Sequence, residues 1–343
     1  MKKYHVAILG ATGAVGMQML ESLLEQDFPI ASLKLLASER SAGKTITMKG
    51  HSYIVEAADE HSFDGVNIVL GAAANDVAKK LIPHAVKAGA VVIDNSSAYR
   101  LDENVPLIIP EVNPQAIKEH HGIIANPNCA TIIALVACQP LHAYAKMKRM
   151  VVSTYQAVSG AGVNGFRELD DQIEALRQHK EVEIHTFQHQ IAFNLIPQIG
   201  SFDENGYSSE EMKMQNEGRK ILNEPDLQVN CTCVRVPVYR SHSESIMVEF
   251  EKPIDVAKAK ELIAQGQGVK LVDEPEKSRY PMPLSTSDQD LVYVGRIRKD
   301  LSGHDNALSL WCCGDQIRKG AASNAVQIAK LLIASMEAKQ CNE

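Results

Sequence analysis

The stretch VAILGATGAVG, Val6 to Gly16, constrains this chain more than any other. An apolar strand runs into Gly10, Gly13 and Gly16, and then into helix formers. Each glycine answers a separate demand. The first allows a tight turn, the second lets a pyrophosphate approach the backbone, and the third lets the helix pack closely on the strand. A glycine triplet alone says little. One that follows a strand and opens a helix inside a βαβ unit is a dinucleotide-binding signature, with the phosphates at the helix N-terminus. The downstream pattern supplies that context. Tyr4–Leu9 reads as a buried strand and Ala14–Gln26 as a helix; Leu33–Ala37, Val66–Leu70 and Val91–Asp94 read as strands, with a helix over Asn75–Lys87. Apolar strands alternating with helices predict a parallel sheet covered on both faces.

From about Met150 the texture changes. RMVVSTYQAV, VNCTCVRVPVY and ESIMVEFEKP read as longer strands, alternating with helical stretches at 166–178, 208–223 and 255–265. That pattern predicts a mixed α+β domain with a largely antiparallel sheet. Residues 179–207 read as loop, and the segment after Gly314 as an amphipathic helix. A chain of 343 residues that is 45% hydrophobic has ample material for two cores.

No apolar run approaches the roughly 18 residues of a membrane span. MKKYHVAILG is too short for a signal peptide, lacks a small-residue cleavage site and runs straight into the glycine motif. A net charge of −7 without long basic runs argues against nucleic acid as a partner. Seven cysteines, an odd number, fit a reduced cytoplasmic protein better than a disulfide scaffold. Cys231/Cys233 and Cys312/Cys313 lack the spacing of common zinc sites and read as buried strand residues, so no metal is expected.

The end of the second strand reports on the cofactor. An acidic residue there suits the ribose diol of NAD, whereas an arginine accommodates the 2′-phosphate of NADP. The segment LLASERSAG offers Ser38, Arg40 and Ser41 to a phosphate, with Glu39 read as solvated. NADP is the expected cofactor.

A second stretch, IANPNCATI, places a lone cysteine, Cys129, after Asn-Pro-Asn and at the head of a run of helix formers. A small buried hydrophobe would explain it. So would a nucleophile, because a helix N-terminus favours the thiolate. Other motifs decide between these. GATGAVG (10–16), DNSSAYR (94–100), NPNCATI (126–132), YQAVSGAG (155–162), EEMK (210–213), RVPVYRSHSE (235–244) and GDQIRKGAA (314–322) together make the chain resemble the aspartate-β-semialdehyde dehydrogenase family over nearly its full length. One departure is LGAAAND at 70–76, where the family more often has a serine-alanine-glycine turn.

The resemblance implies a Rossmann-type, parallel-sheet dinucleotide-binding domain (1–128 plus 316–343) and a mixed α+β catalytic and dimerisation domain (129–315). It implies NADPH-dependent reduction of L-aspartyl-4-phosphate to the semialdehyde with release of phosphate. The pathway implied is biosynthesis of lysine, threonine, methionine and isoleucine, by a cytoplasmic homodimer. Cys129 would be the nucleophile that forms a thioester, which divides one hard step into two. His242, seven residues after Arg235 as in the family, would be the general acid/base that takes the thiol proton, and Gln156 would orient the substrate. Arg235 would grip the α-carboxylate, Glu210 the α-ammonium, and Arg100 and Lys213 the phosphate, with Asn128 beside the thiol. Gly10, Thr12, Gly13, Ala14, Val15, Gly16, Ser38, Arg40 and Ser41 would hold the dinucleotide, with Ser159, Gly160 and Gln316 on its nicotinamide side. Two rivals differ at identifiable places. N-acetyl-γ-glutamyl-phosphate reductases typically have glycine before the cysteine, where this chain has Asn128. A non-catalytic dinucleotide-binding paralogue would be expected to lose Cys129 or His242, and both are present.

Overall fold

Strand β1 (Tyr4–Leu9) sends alternate side chains into two separate cores, which is why its residues 6–9 are all apolar. Ala7 and Leu9 pack with Leu36, Val69, Leu81 and Ile82 in one core; Val6 and Ile8 join Met19, Leu23, Val326 and Leu332 in the other. The structure, a computed structural model, describes residues 2–302 and 306–340. It divides into two compact units, residues 1–128 with 321–343, and residues 129–320. The chain thus leaves the second unit at Ala321, later than the expected 316, so Gln316 belongs to the second unit. Residues 341–343 lie outside the described residues.

After β1 the first unit continues with α1 (Ala14–Glu25), β2 (Ile30–Ala37), β3 (Thr45–Met48), β4 (His51–Ala57), β5 (Ile68–Gly71), α2 (Asn75–Lys87), β6 (Val91–Asp94) and β7 (Ile123–Ala125). The sheet order is β3-β4-β2-β1-β5-β6-β7, parallel throughout except for the β3–β4 pair.

The second unit opens with α3 (Cys129–Ala145), β8 (Met147–Gln156), α4 (Val163–Arg177), α5 (Ser209–Leu222), β9 (Gln228–Arg235) and β10 (His242–Phe250). It closes with α6 (Val256–Gln265), β11 (Val269–Leu271), the single turn α7 (Pro283–Thr286), β12 (Val292–Lys299) and β13 (Ala307–Gly314). Its sheet runs β11-β12-β13-β10-β8-β9. The three central pairings are antiparallel and the two edge pairings, β8–β9 and β11–β12, are parallel. The apolar helix α3 lies against β8, β10, β12 and β13 and touches α5 and α6. Helix α8 (Ser323–Gln340) returns to the first unit and packs beside α1.

Six of the cysteines are free thiols, five of them buried in the second unit and Cys129 half-buried; Cys341 lies outside the described residues. Among the described residues no helix is long and apolar enough to cross a membrane.

Candidate active site

In the first unit the glycine loop separates into glycines that the protein itself requires and one that it does not. Gly10 has φ +86°, and a Cβ there would lie 2.6 Å from the Ala72 carbonyl oxygen. A Cβ at Gly16 would collide with the Gly10 carbonyl. At Gly13 a Cβ would meet only the Gly10 oxygen, at 3.5 Å, an ordinary contact. The chain's own packing leaves that position open, as close approach of a pyrophosphate requires. Gly13 is also the N-cap of α1 and offers no side-chain cap, so the helix's first N–H groups remain available to an anion. A cavity of ≈ 690 Å³ beside the loop is lined by Gly10, Ser38, Glu39 and Ala73 among others. These residues fit a dinucleotide. Thr12 is exposed, and Ala14 and Val15 are half-buried at the helix head. Ser38, Glu39 and Arg40 are exposed around a single 3₁₀ turn and Ser41 is buried; Glu39, unlike Arg40, lines the cavity. The unusual loop at 70–76 packs through its backbone: Ala72 N–H donates to the Leu9 carbonyl at 2.7 Å while its own oxygen abuts Gly10.

The Asn-Pro-Asn segment is anchored within the same unit. The buried Asn126 amide donates to Asn95 Oδ1 at 2.7 Å and accepts from the Asn324 amide at 2.6 Å. Asn128 is buried as well, and the buried Arg100 donates from Nη2 to the Asn95 carbonyl at 2.8 Å.

In the second unit, strand register builds the site in two rows. Gln156 on β8 faces Arg235 on β9, and His242 on β10 faces Gly314 on β13. In the row beneath, Cys233, Thr154, Glu244 and Cys312 stand side by side across β9, β8, β10 and β13. Because side chains two apart share a face, both rows point toward α3, whose first residue is Cys129. The His242 ring is fully buried, with Nε2 3.5 Å from Cys129 Sγ, and its Nδ1 accepts the Ala157 N–H at 3.1 Å. Burial lowers its pKa to about 3; Arg235 adds to the shift and Glu210 opposes it. The ring is neutral at physiological pH.

The remaining polar groups converge around it. Arg235 Nη1 donates to the Ala157 carbonyl at 2.7 Å, and its guanidinium lies over the Phe187 ring at 5.9 Å. Burial lowers the Arg235 pKa, while negative charge on Glu210 and Cys129 opposes that shift. Gln156 Nε2 donates to Glu210 Oε1 and Thr154 Oγ1, each at 3.3 Å. Lys213, one helical turn along α5, pairs with Glu210 Oε2 at 2.9 Å. Gln316 joins Ser159 through a short side-chain hydrogen bond and accepts the Ser241 N–H at 2.8 Å. Small residues let this cluster close. A Cβ at Gly160 would stand 2.6 Å from Arg235 Nη1, and one at Gly320 would stand 2.9 Å from Cys129 Cβ.

Several contributors escape sequence reasoning. The Ala157 N–H carries no side-chain signal at all. Thr154 and Glu244 look like interior strand positions until register places them under the site. Glu211, the neighbour of Glu210, turns the other way: its carboxylate caps α5 through the Ser208 N–H at 2.6 Å and accepts the Cys233 N–H at 2.9 Å. The Ser208-x-x-Glu211 spacing of a capping box was the signal that could have found it.

Known proteins carry the same architecture. Residues 5–120 match the family profile described as "Semialdehyde dehydrogenase, NAD binding domain", and residues 138–319 match "Semialdehyde dehydrogenase, dimerisation domain". The aspartate-semialdehyde dehydrogenase of a Synechocystis strain is 50% identical over 329 residues, covering 96% of this chain and 97% of that protein. The chain belongs to the aspartate-semialdehyde dehydrogenase family. It is an oxidoreductase with a small-molecule substrate, and its first unit is a nicotinamide-dinucleotide-binding domain. The Bacillus subtilis member is 48% identical over 336 residues, 96% of this chain and 97% of that one. Among solved structures, aspartate semialdehyde dehydrogenase II of Vibrio cholerae, complexed with ASA, superposes with TM-score 0.95 at 46% identity, over 97% of this chain and 99% of that one. The Candida albicans enzyme with NADP superposes with TM-score 0.76 at 25% identity, over 97% of this chain and 99% of that one.

Proposed function

We propose that the chain catalyses the reversible, NADPH-dependent reduction of L-aspartyl-4-phosphate to L-aspartate-4-semialdehyde through a thioester on Cys129, in biosynthesis of lysine, threonine, methionine and isoleucine. The observation that carries this reading is the Cys129 thiol at the head of α3, 3.5 Å from a buried imidazole and beside Arg235 and Glu210. A helix head and a nearby guanidinium favour negative charge on sulfur and supply donors to an oxyanion. Cys129 attacks the acyl carbon and phosphate departs. A dinucleotide held by the first unit would supply the hydride that reduces the thioester, and expulsion of the Cys129 thiolate yields the aldehyde.

Arg235 offers a planar, buried guanidinium to the α-carboxylate, a geometry suited to bidentate contact. Glu210 faces the α-ammonium, Gln156 orients the substrate, and Arg100 and Lys213 hold the phosphate, with Asn128 flanking the thiol. Gly10, Thr12, Gly13, Ala14, Val15 and Gly16 would hold the dinucleotide, Ser38, Arg40 and Ser41 would read its 2′-phosphate, and Ser159, Gly160 and Gln316 would serve its nicotinamide side. A carboxylate at Glu210 discriminates against an N-acetylated substrate, whose uncharged nitrogen would leave that carboxylate desolvated without a charged partner. The active form is a homodimer. The matched dimerisation profile supports this, as do the half-buried Tyr155, Met247 and Trp311 on the sheet face turned away from α3.

The test is reduction of NADP by aspartate semialdehyde, which should require inorganic phosphate. With phosphate omitted, the acyl group should remain on Cys129 and be located there by mass spectrometry of the intact and digested protein. Acyl label on Cys138 or Cys312 instead, or equal reduction of N-acetyl-glutamyl phosphate, would overturn the reading.

A further inference from the structure

Residues 179–195 carry neither helix nor strand, yet the segment is fastened at defined points. An irregular stretch has no ladder to take up its backbone N–H groups, so they must find acceptors elsewhere. Two side chains of α4 provide them. The Glu168 carboxylate accepts the N–H groups of His185 at 3.3 Å, of Thr186, and of Phe187 at 3.4 Å. Gln172 Oε1 accepts those of Ile191 at 2.9 Å and Ala192 at 3.0 Å. Both side chains are buried and stand one helical turn apart, and the Gln172 amide donates to Glu168 Oε1 at 3.2 Å. The result is a strap clamped along α4.

The strap meets Arg235 twice. Phe187 lies against the guanidinium, 5.9 Å from ring centroid to Cζ, and Ile196 exchanges both backbone hydrogen bonds with Arg235, at 3.0 and 2.8 Å. Between these points Ile191 and Ala192 pack with Val158 and Leu169 in a small core of their own. Bidentate binding of a carboxylate needs the guanidinium plane held in one orientation. The Ala157 carbonyl fixes one end of the fork, at Nη1. The Phe187 ring supplies a wall against its face.

We propose that Glu168 is a positioning residue for substrate binding: with Gln172 it clamps the strap so that Phe187 holds the plane of Arg235. This rests on the reading of Arg235 as the ligand of the α-carboxylate. A glutamine at 168 cannot do the same, because an amide has one acceptor oxygen where the clamp uses two. Oε2 serves His185 and Thr186, and Oε1 serves Phe187 and Gln172. Whichever way the amide is turned, its NH₂ meets other donors. With the strap loosened, substrate must order Arg235 as it binds, which weakens binding.

Steady-state kinetics of the full-length enzyme with aspartate semialdehyde, NADP and phosphate would test this. Glu168→Gln should raise KM for the semialdehyde about tenfold. Its kcat should stay within about twofold, because the carboxylate contact is common to ground and transition states. KM for NADP and for phosphate should not move. Phe187→Leu keeps apolar bulk but removes the ring, and should raise the same KM about threefold. If Glu168 acts through Phe187, the double variant should be no worse than Glu168→Gln alone; independent effects would multiply to about thirtyfold and overturn the proposal. So would a fall in kcat at unchanged KM, or an equal rise in all three KM values, either of which marks a merely structural role. Should Glu168→Gln fail to fold, an unchanged KM in Phe187→Leu overturns the proposal by itself. Hydrogen exchange of unliganded protein should be faster over residues 185–192 in Glu168→Gln, and unchanged exchange would remove the clamp. The two readings fail differently. Wild-type enzyme without phosphate-dependent turnover overturns the proposed function, whereas normal wild-type turnover with an unaltered semialdehyde KM in the variants overturns only the positioning role.

Discussion

A methyl group on Gly160 would stand 2.6 Å from Arg235 Nη1 and 3.4 Å from His242 Cε1. The guanidinium could retreat only by giving up its 2.7 Å bond to the Ala157 carbonyl. Gly160→Ala is therefore expected to raise KM for the semialdehyde about tenfold, roughly 1.4 kcal/mol of binding, with a smaller change in kcat. Steady-state kinetics would decide it, and an unchanged KM would remove Arg235 from the carboxylate site. At the cofactor end, Arg40→Ala should weaken NADP binding by about 1.5–3 kcal/mol, the range for a charge-assisted hydrogen bond, and leave NAD little affected. Titration with both cofactors separates the cases: equal losses would mean that Arg40 supports its turn and does not read the phosphate. That Cys129, His242 and Arg235 come together was legible because each stands in one of the motifs that carry the family resemblance. The partner that fixes the imidazole was not legible. It is a backbone N–H, and any residue other than proline supplies one.

Helix α5 shows how two adjacent glutamates acquire different work. Glu210 points toward Gln156 and Lys213, whereas Glu211 closes the capping box with Ser208 and binds the Cys233 N–H of β9. Removing the cap by Ser208→Ala should cost about 1 kcal/mol. Glu211→Ala should cost more, by about 1–3 kcal/mol, because a buried strand N–H also loses its acceptor. Urea unfolding of the two variants would rank them, and equal losses would show that the link to β9 contributes nothing. At this scale the sequence was legible where burial is two-sided. Residues 6–9 of β1, β5 and residues 91–93 of β6 announce themselves as continuous apolar runs. The β3–β4 hairpin was missed because it lies at the sheet edge with exposed alternate residues, and because its two-residue turn hides its signal. Lys49 and Gly50 both have positive φ, 49° and 81°, as a tight hairpin turn demands, yet lysine replaces the asparagine or aspartate that would flag it. Strands β7 and β11 have three residues each, too few for a period to register. The largely antiparallel sheet expected from the sequence carries a parallel pair, β8–β9, at one edge. That pair is parallel because α4 and α5 intervene and carry the chain back across the sheet.

At the scale of the whole molecule, the second unit's sheet has two faces with different fates. The face turned away from α3 holds Tyr155 and Trp311, with ring centroids 5.5 Å apart, beside Met247. Met247→Arg should convert the proposed homodimer to a monomer in sedimentation velocity, and an unchanged sedimentation coefficient would move the interface elsewhere. On the opposite face His242 and Glu244 stand in successive rows, and their effects on stability run in opposite directions with pH. His242 has its pKa lowered from 6.5 to about 3, so the unfolded chain binds a proton that the folded chain refuses, and stability is lost as pH falls below 6.5. Glu244 is fully buried, chiefly among thiols, and burial raises its pKa well above the ordinary 4.5. Its contribution is fully present below pH 4.5 and is lost as pH rises through the folded-state pKa, because the unfolded carboxyl ionises while the folded one stays protonated. The two contributions therefore slope in opposite senses with pH. A carboxamide has nearly the shape of a protonated carboxyl and cannot ionise, so Glu244→Gln should pack equally well and lack that slope. The stability difference between variant and wild type should thus widen in the variant's favour by about 1.4 kcal/mol per pH unit above 4.5, until the folded carboxyl itself ionises. Urea midpoints from pH 4.5 to pH 8 would test it. Parallel curves across that range would mean that Glu244 is already ionised in the folded protein, held there by a partner strong enough to offset its burial.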